Sequence, residues 1–164
     1  MRILALSGSL QASSSNLDLL HLASEIAPPG LEIIIFDGLR ALPHFNPDLE
    51  LCELSPAVQA WRRSLAESAA LLIASPEYGH SLPGSLKNGI DWVIGSGELE
   101  RKVIGVTASV NHIERGHRGL KALCDTLRAV NATIIGGDPC VRGPQFENEL
   151  KGLIHALIEA IGKG

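Results

Sequence analysis

Five short apolar runs, each followed by a stretch with helical spacing, constrain this chain more than any other feature. The runs are Ile3 to Leu6, Ile33 to Phe36, Leu71 to Ala74, Val103 to Thr107, and Thr133 to Ile135. Each is nearly continuous in apolar character, the pattern of a parallel strand covered by helices on both faces. Between them, Leu19, Leu22, Ala23, Ile26 and Ala27 recur at helical spacing until Pro28-Pro29-Gly30 stops the segment. Val58, Trp61 and Leu65 mark a second helix, entered at Ser55-Pro56. Leu86, Ile90, Val93 and Ile94 mark a third, with Gly95 and Gly97 beyond it. Leu120, Leu123, Cys124 and Leu127 form a fourth stripe, and Leu150, Leu153, Ile154, Leu157, Ile158 and Ile161 form the last. Residues 37–54 show no periodicity and read as a long irregular connection.

This alternation predicts one α/β domain over residues 1–164. Its core is a doubly wound five-stranded parallel sheet with helices on both faces and the flavodoxin-like order 2-1-3-4-5. Ligands of such sheets bind beyond the carboxyl ends of the strands, where the winding reverses. The loops after strands 1, 3 and 4 therefore matter most. Aromatic residues are only 4% of a chain that is 45% hydrophobic, so Leu, Ile, Val and Ala must fill the core. A formal charge of -4 leaves no basic footprint for nucleic acid. The apolar runs are too short for a membrane span. The start, MRILALSGS, turns polar within seven residues, unlike a signal peptide. Cys52, Cys124 and Cys140 are odd in number and widely spaced, so free thiols in a reducing cytoplasm are expected. No Cys/His set has zinc spacing, and Ser9 does not sit in a GxSxG elbow, so neither a metal site nor a hydrolase is expected.

The first loop, GSLQASSSN at residues 8–16, fits neither GxGxxG nor GxxxxGK[ST]. Gly8 permits a tight turn, Ser9, Ser13, Ser14 and Ser15 carry hydroxyls, and Asn16 can donate or cap. Two readings follow: an anion cradle at a helix N-terminus, or an N-cap within a serine-rich turn. No Lys or Arg lies in residues 7–16. A missing charge-assisted bond to an anion costs about 1.5–3 kcal/mol, roughly one to two orders of magnitude in affinity.

The second loop, SPEYGHSLPGSLKNGIDW at residues 75–92, is stiffened by Pro76 and Pro83, while Gly79 and Gly84 allow close approach of backbone to ligand. Tyr78 offers an aromatic wall. Glu77 is either an acid/base group or a structural anchor. Lys87, Asn88 and Asp91 read as capping, ion-pairing or subunit-contact residues, and Trp92 as packing. After strand 4, His112, Arg115, His117 and Arg118 either attract an anionic group or form a solvated loop before a helix.

At these two loops the chain resembles the NAD(P)H-dependent FMN reductases, which include quinone, chromate and azo-compound reductases. That family carries GSLRxxSxN after strand 1 and PEYNxSxPGxLKNxIDW after strand 3. Gly8, Ser9, Leu10, Ser14 and Asn16 match the first pattern. Pro76, Glu77, Tyr78, Ser81, Pro83, Gly84, Leu86, Lys87, Asn88, Ile90, Asp91 and Trp92 match the second. Gln11 stands where the family has arginine, and Gly79 where it has asparagine. Of the glycine-rich loop after strand 4, Ser109 carries over, with Gly116 and Gly119 at shifted positions.

The resemblance implies FMN as cofactor, its phosphate held by Ser9, Gln11, Ser14, Ser15 and Asn16. The isoalloxazine edge would lie on Pro76, Glu77, Tyr78 and Gly79, with Ser109 opposite. NAD(P)H would pass hydride to FMN, and two electrons would go on to a small acceptor: a quinone, flavin, nitro or azo compound, or metal oxyanion. No side chain is implied to be covalently catalytic. A homodimer or homotetramer is implied, with the helix from Leu86 to Ile94 as a contact. Two other readings stand beside this one: a flavodoxin-type electron carrier that ignores pyridine nucleotide, and a flavin-free binding or regulatory module.

Overall fold

The computed structural model describes residues 1–163. In chain order the elements are β1 (Arg2–Ser7), α1 (Ser15–Glu25), β2 (Glu32–Phe36), a 3-10 turn at Gly38–Ala41, α2 (Pro47–Glu50), α3 (Pro56–Ala66) and β3 (Ala70–Ala74). They continue with α4 (Gly84–Asp91), β4 (Val103–Thr107), β5 (Ser109–Val110), α5 (His117–Ala129), β6 (Thr133–Gly136), β7 (Cys140–Val141) and α6 (Phe146–Ile161).

The main sheet is parallel throughout, in the order β2-β1-β3-β4-β6. That is the expected winding. The last strand becomes the sixth because the two-residue β5, paired with β7, intervenes. Every residue of the central strand β3 is buried, whereas the edge strand β6 is partly open. The alternation of side chains along each strand divides the core in two. Leu4, Leu6, Leu71, Ile73, Ile104 and Val106 face α3, α4 and α5 through Trp61, Leu65, Leu86, Ile90, Leu120 and Leu127. Ile3, Ala5, Ile33, Leu72 and Ala74 face α1 and α6 through Leu19, Leu20, Ala23, Leu150, Ile154 and Leu157.

Two expectations change in detail. The apolar spacing through Val93 and Ile94 suggests a longer third helix, but α4 stops at Asp91 and the chain turns through residues 92–96. Leu86 and Ile90 are buried within the subunit, so Ile94, 53% exposed, is the apolar side chain of that segment open to a neighbour. The connection at 37–54 contains the 3-10 turn and the single turn α2, both too short to show a period. No helix among the described residues is long and apolar enough to cross a membrane.

Candidate functional site

The first loop leaves β1 at Gly8, whose N–H donates to Ala74 O at 2.9 Å and so extends the sheet by one rung. Ser14 is the N-cap of α1, its Oγ accepting the Asn16 N–H at 3.3 Å. The serine-rich turn is thus also a helix start, as one of its two readings required. Ser9 Oγ accepts the Gln11 N–H at 3.2 Å and lies 3.4 Å from the Tyr78 hydroxyl, which ties the two loops together. Asn16, buried, accepts the Ser109 N–H on Oδ1 at 2.9 Å. A single side chain therefore joins the α1 N-terminus to the loop after β4.

The second loop makes a two-residue hairpin. Tyr78 and Ser81 exchange both backbone bonds at 3.0 Å, around Gly79 at φ +56° and His80 at φ +63°. Two consecutive left-handed residues define a type I′ turn, so Gly79 suits its position without the family's asparagine. Pro83 caps α4 from outside the helix, where its missing N–H costs least. Beyond it, Lys87 pairs with Asp91, Asn88 accepts the Phe45 N–H and donates to Pro43 O, and Trp92 Nε1 donates to Pro43 O at 2.7 Å. These contacts pin the connection after β2 against α4. They leave no side chain of that trio for chemistry.

Glu77 acts as an anchor. Its Oε2 accepts the N–H groups of Arg118 and Gly119, both at 3.0 Å, at the start of α5, and its Oε1 lies 3.0 Å from His80 Nδ1. The His80 bond first, then the Gly119 N–H, with the Arg118 N–H adding to them, hold the Glu77 carboxyl below the usual carboxylate range. A group lowered on folding stabilises above its unfolded value, and that contribution is lost as pH falls through the folded one. We therefore expect Glu77→Gln to lower the thermal midpoint at neutral pH. The gap to wild type should close as pH drops below the ordinary carboxylate range, a trend followed by thermal unfolding at a series of pH values. A gap that is constant with pH would remove the anchoring role.

Between these loops, at the carboxyl edge of the sheet, lies an open cavity of about 780 Å³. Of the residues expected at a site, Ser15, Asn16, Pro76, Glu77 and Ser109 line it together. Ser9 and Gln11 line a separate recess of about 70 Å³ on the β2 side of the first loop, with Arg40. Ser14 is buried in its capping role, and Tyr78 stands 53% exposed at the rim of the hairpin. Gly79, with no heavy atom within 4 Å of where its Cβ would be, leaves the tip of that hairpin open. His112, Arg115 and Arg118 from the basic cluster also reach the cavity wall. His117 instead bonds the Ile113 carbonyl.

The lining arginine that no reading of the sequence singled out stands just past the far strand. Arg142, after β7, has Nε 3.2 Å from Ser109 Oγ. It follows β7, a two-residue strand that leaves no alternation in the sequence by which to find it. Burial pushes the Cys124 and Cys140 thiols up, away from the thiolate form.

This wall suits FMN. It has the segments Pro76–Glu77 and Ala108–Asn111, the hydroxyl residues Ser15 and Ser109, a helix N-terminus and three arginines. Its volume falls in the range of sites for small ligands.

The sequence profile of the family described as NADPH-dependent FMN reductase matches residues 1–143. An NAD(P)H-dependent FMN reductase of Pseudomonas aeruginosa is 39% identical over 92 residues, 56% of this chain and 49% of that protein. An NADPH:quinone oxidoreductase of Arabidopsis thaliana is 41% identical over 96 residues, 56% of this chain and 48% of that one. The chain spans about half the length of the curated relatives it matches. Among solved structures, the flavoenzyme NAD(P)H:(acceptor) oxidoreductase FerB of Paracoccus denitrificans superposes with a TM-score of 0.86 at 24% identity, covering 99% of this chain and 97% of that one. A cysteine-to-alanine mutant of a flavodoxin of Pseudomonas aeruginosa gives 0.62 at 16% identity with 100% of both covered, so the fold is shared with that protein as well. From the profile match over most of its length, the chain belongs to the NADPH-dependent FMN reductase family.

Proposed function

We propose that this chain is an FMN-dependent oxidoreductase that draws on NAD(P)H and reduces a small acceptor such as a quinone. The observation that carries this reading is the cavity at the carboxyl edge of the sheet, walled by the same two loops that match the family pattern. FMN held by these loops would supply the redox chemistry between the pyridine nucleotide and the acceptor.

The chain's own residues bind and orient. The α1 N-terminus with Ser15 and Asn16 faces the phosphate, and the Pro76–Gly79 backbone meets the ring edge. Tyr78 flanks the ring from the rim and Ser109 closes the far side. Glu77 holds this shelf against α5 and needs no proton-transfer role. Because Ser9 and Gln11 open on the smaller recess, their contribution is to brace the loop from behind. The expected homodimer or homotetramer in the cytoplasm remains part of the proposal, and sedimentation of the purified protein at monomer mass would remove the assembly.

The protein purified gently from a flavin-replete host is expected to be yellow, and to bleach anaerobically on addition of NADH or NADPH. Steady-state kinetics with a quinone should be ping-pong. Yellow protein that does not bleach, and instead holds a long-lived one-electron form during chemical reduction, would make it an electron carrier. Colourless protein that ignores added FMN in calorimetry would remove the flavin altogether.

A further inference from the structure

We infer that Arg142 is the cation that binds the FMN phosphate, in place of the arginine that the first loop lacks. The inference rests on the proposed function and names the charge partner within it. Residues 7–16 contain no Lys or Arg. Gln11 lines the small recess, and Arg40, the cation beside it, is committed to the Leu10 carbonyl at 2.9 Å. Neither reaches the larger cavity.

Arg142 does, and three constraints place it there. First, β7 pairs with β5 so that Cys140 lies beside Ser109 and Val141 beside Val110, and the Arg142 N–H donates to Val110 O at 2.8 Å. Second, Nε sits 3.2 Å from Ser109 Oγ, whose own backbone N–H is held by Asn16. Third, one terminal nitrogen lies 3.5 Å from Asp18 Oδ2, in the first turn of α1. The guanidinium therefore reaches from the loop after β4 towards the helix end where Ser15 and Asn16 line the same wall.

The partner on that side is weak. Asp18 is 67% exposed and its contact is long, so it holds the guanidinium in place without saturating it. The remaining N–H groups form a planar fork that matches two oxygens of a phosphate. A phosphomonoester at the α1 N-terminus would gain both the helix dipole and this fork. Arg115 precedes α5 and Arg118 stands in its first turn, so both belong to the α5 end of the wall and not to the α1 N-terminus. Arg142 has only Asp18 among acidic side chains within ion-pair distance, among the described residues.

The test compares FMN with riboflavin, which lacks the phosphate, on wild type, Arg142→Gln and Arg142→Lys. Titrations are followed by quenching of flavin fluorescence, and FMN titrations are repeated with inorganic phosphate as competitor. The inference expects Arg142→Gln to weaken FMN by about 10–100-fold, from the worth of one charge-assisted bond. Riboflavin affinity should stay within about twofold, and phosphate should compete with FMN in wild type far more than in the variant. Arg142→Lys should recover part of the loss, since it keeps the charge without the fork. An equal loss for FMN and riboflavin would overturn the assignment, since Arg142 would then hold the scaffold or the ring. Unchanged FMN affinity, or phosphate competition that survives the substitution, would also overturn it. A wild type that binds neither flavin would bring down the proposed function itself, and the assignment with it.

Discussion

Gly119→Ala is expected to lower the thermal midpoint by about 4–8 °C, although the same substitution usually stabilises a helix. Alanine gains up to about 1 kcal/mol over glycine in helix propensity. At Gly119 that gain is overridden. An added Cβ would stand 2.9 Å from both Cα and Cβ of Glu77, and the Cα belongs to main chain that cannot swing away. Overpacking of this kind costs about 1–3 kcal/mol, and here it also separates the α5 N–H groups from the carboxylate that accepts them. A net loss near 2 kcal/mol gives the stated shift for a chain of this size. Gly152 is the control. It lies in α6 with nothing within 4 Å of its Cβ position, so Gly152→Ala should raise the midpoint by about 2–3 °C. Because Glu77 belongs to the proposed flavin shelf, Gly119→Ala should also weaken FMN at least about tenfold, while Gly152→Ala leaves binding unchanged. A Gly119→Ala protein as stable as wild type would mean that α5 does not rest on Glu77.

The contrast between these glycines shows what sequence reading can reach. Both stand in helices, and nothing in spacing or composition separates them; only the approach of Glu77 does. The five long strands were legible because burial on both faces leaves continuous apolar runs, and β3, covered everywhere, is the clearest case. The end of α4 was less legible, since Val93 and Ile94 keep the helical phase after the helix has ended, and only Gly95 and Gly97 mark the stop. In the site, Ser15, Asn16, Pro76, Glu77 and Ser109 were reached through motif and topology and do share one wall. The motif does not fix which face of the first loop each residue presents, and Ser9 and Gln11 line the recess on its β2 side. Arg142 was out of reach for a different reason. It meets Ser109, 33 positions earlier, through two strands of two residues each, too short to leave any alternation in the sequence. Glu77 stood between two roles until the α5 N-terminus supplied the two donors that decide it.

Asn16→Asp is expected to weaken FMN binding by two to three orders of magnitude with little change in stability. The side chain has one structural duty, to accept the Ser109 N–H on Oδ1 at 2.9 Å, and a carboxylate performs it equally well. What changes is the charge on the wall. If the phosphate is bound at the α1 N-terminus, within about 4–5 Å of position 16, a new negative charge repels it by about 3–4 kcal/mol at an effective dielectric near 20. That is roughly 200- to 1,000-fold in affinity. The carboxylate would also compete for Arg142, which acts in the same direction. Asn16→Ala separates the two duties from the other side. It adds no charge but leaves the Ser109 N–H without its acceptor, at a cost of about 1–3 kcal/mol in stability, and its loss of FMN affinity should be the smaller of the two. Thermal unfolding and FMN titration of both variants read the two duties independently. An Asn16→Asp protein that binds FMN as tightly as wild type would place the phosphate elsewhere than the α1 N-terminus, and one that unfolds like Asn16→Ala would show that the Ser109 bond needs more of the amide than its oxygen.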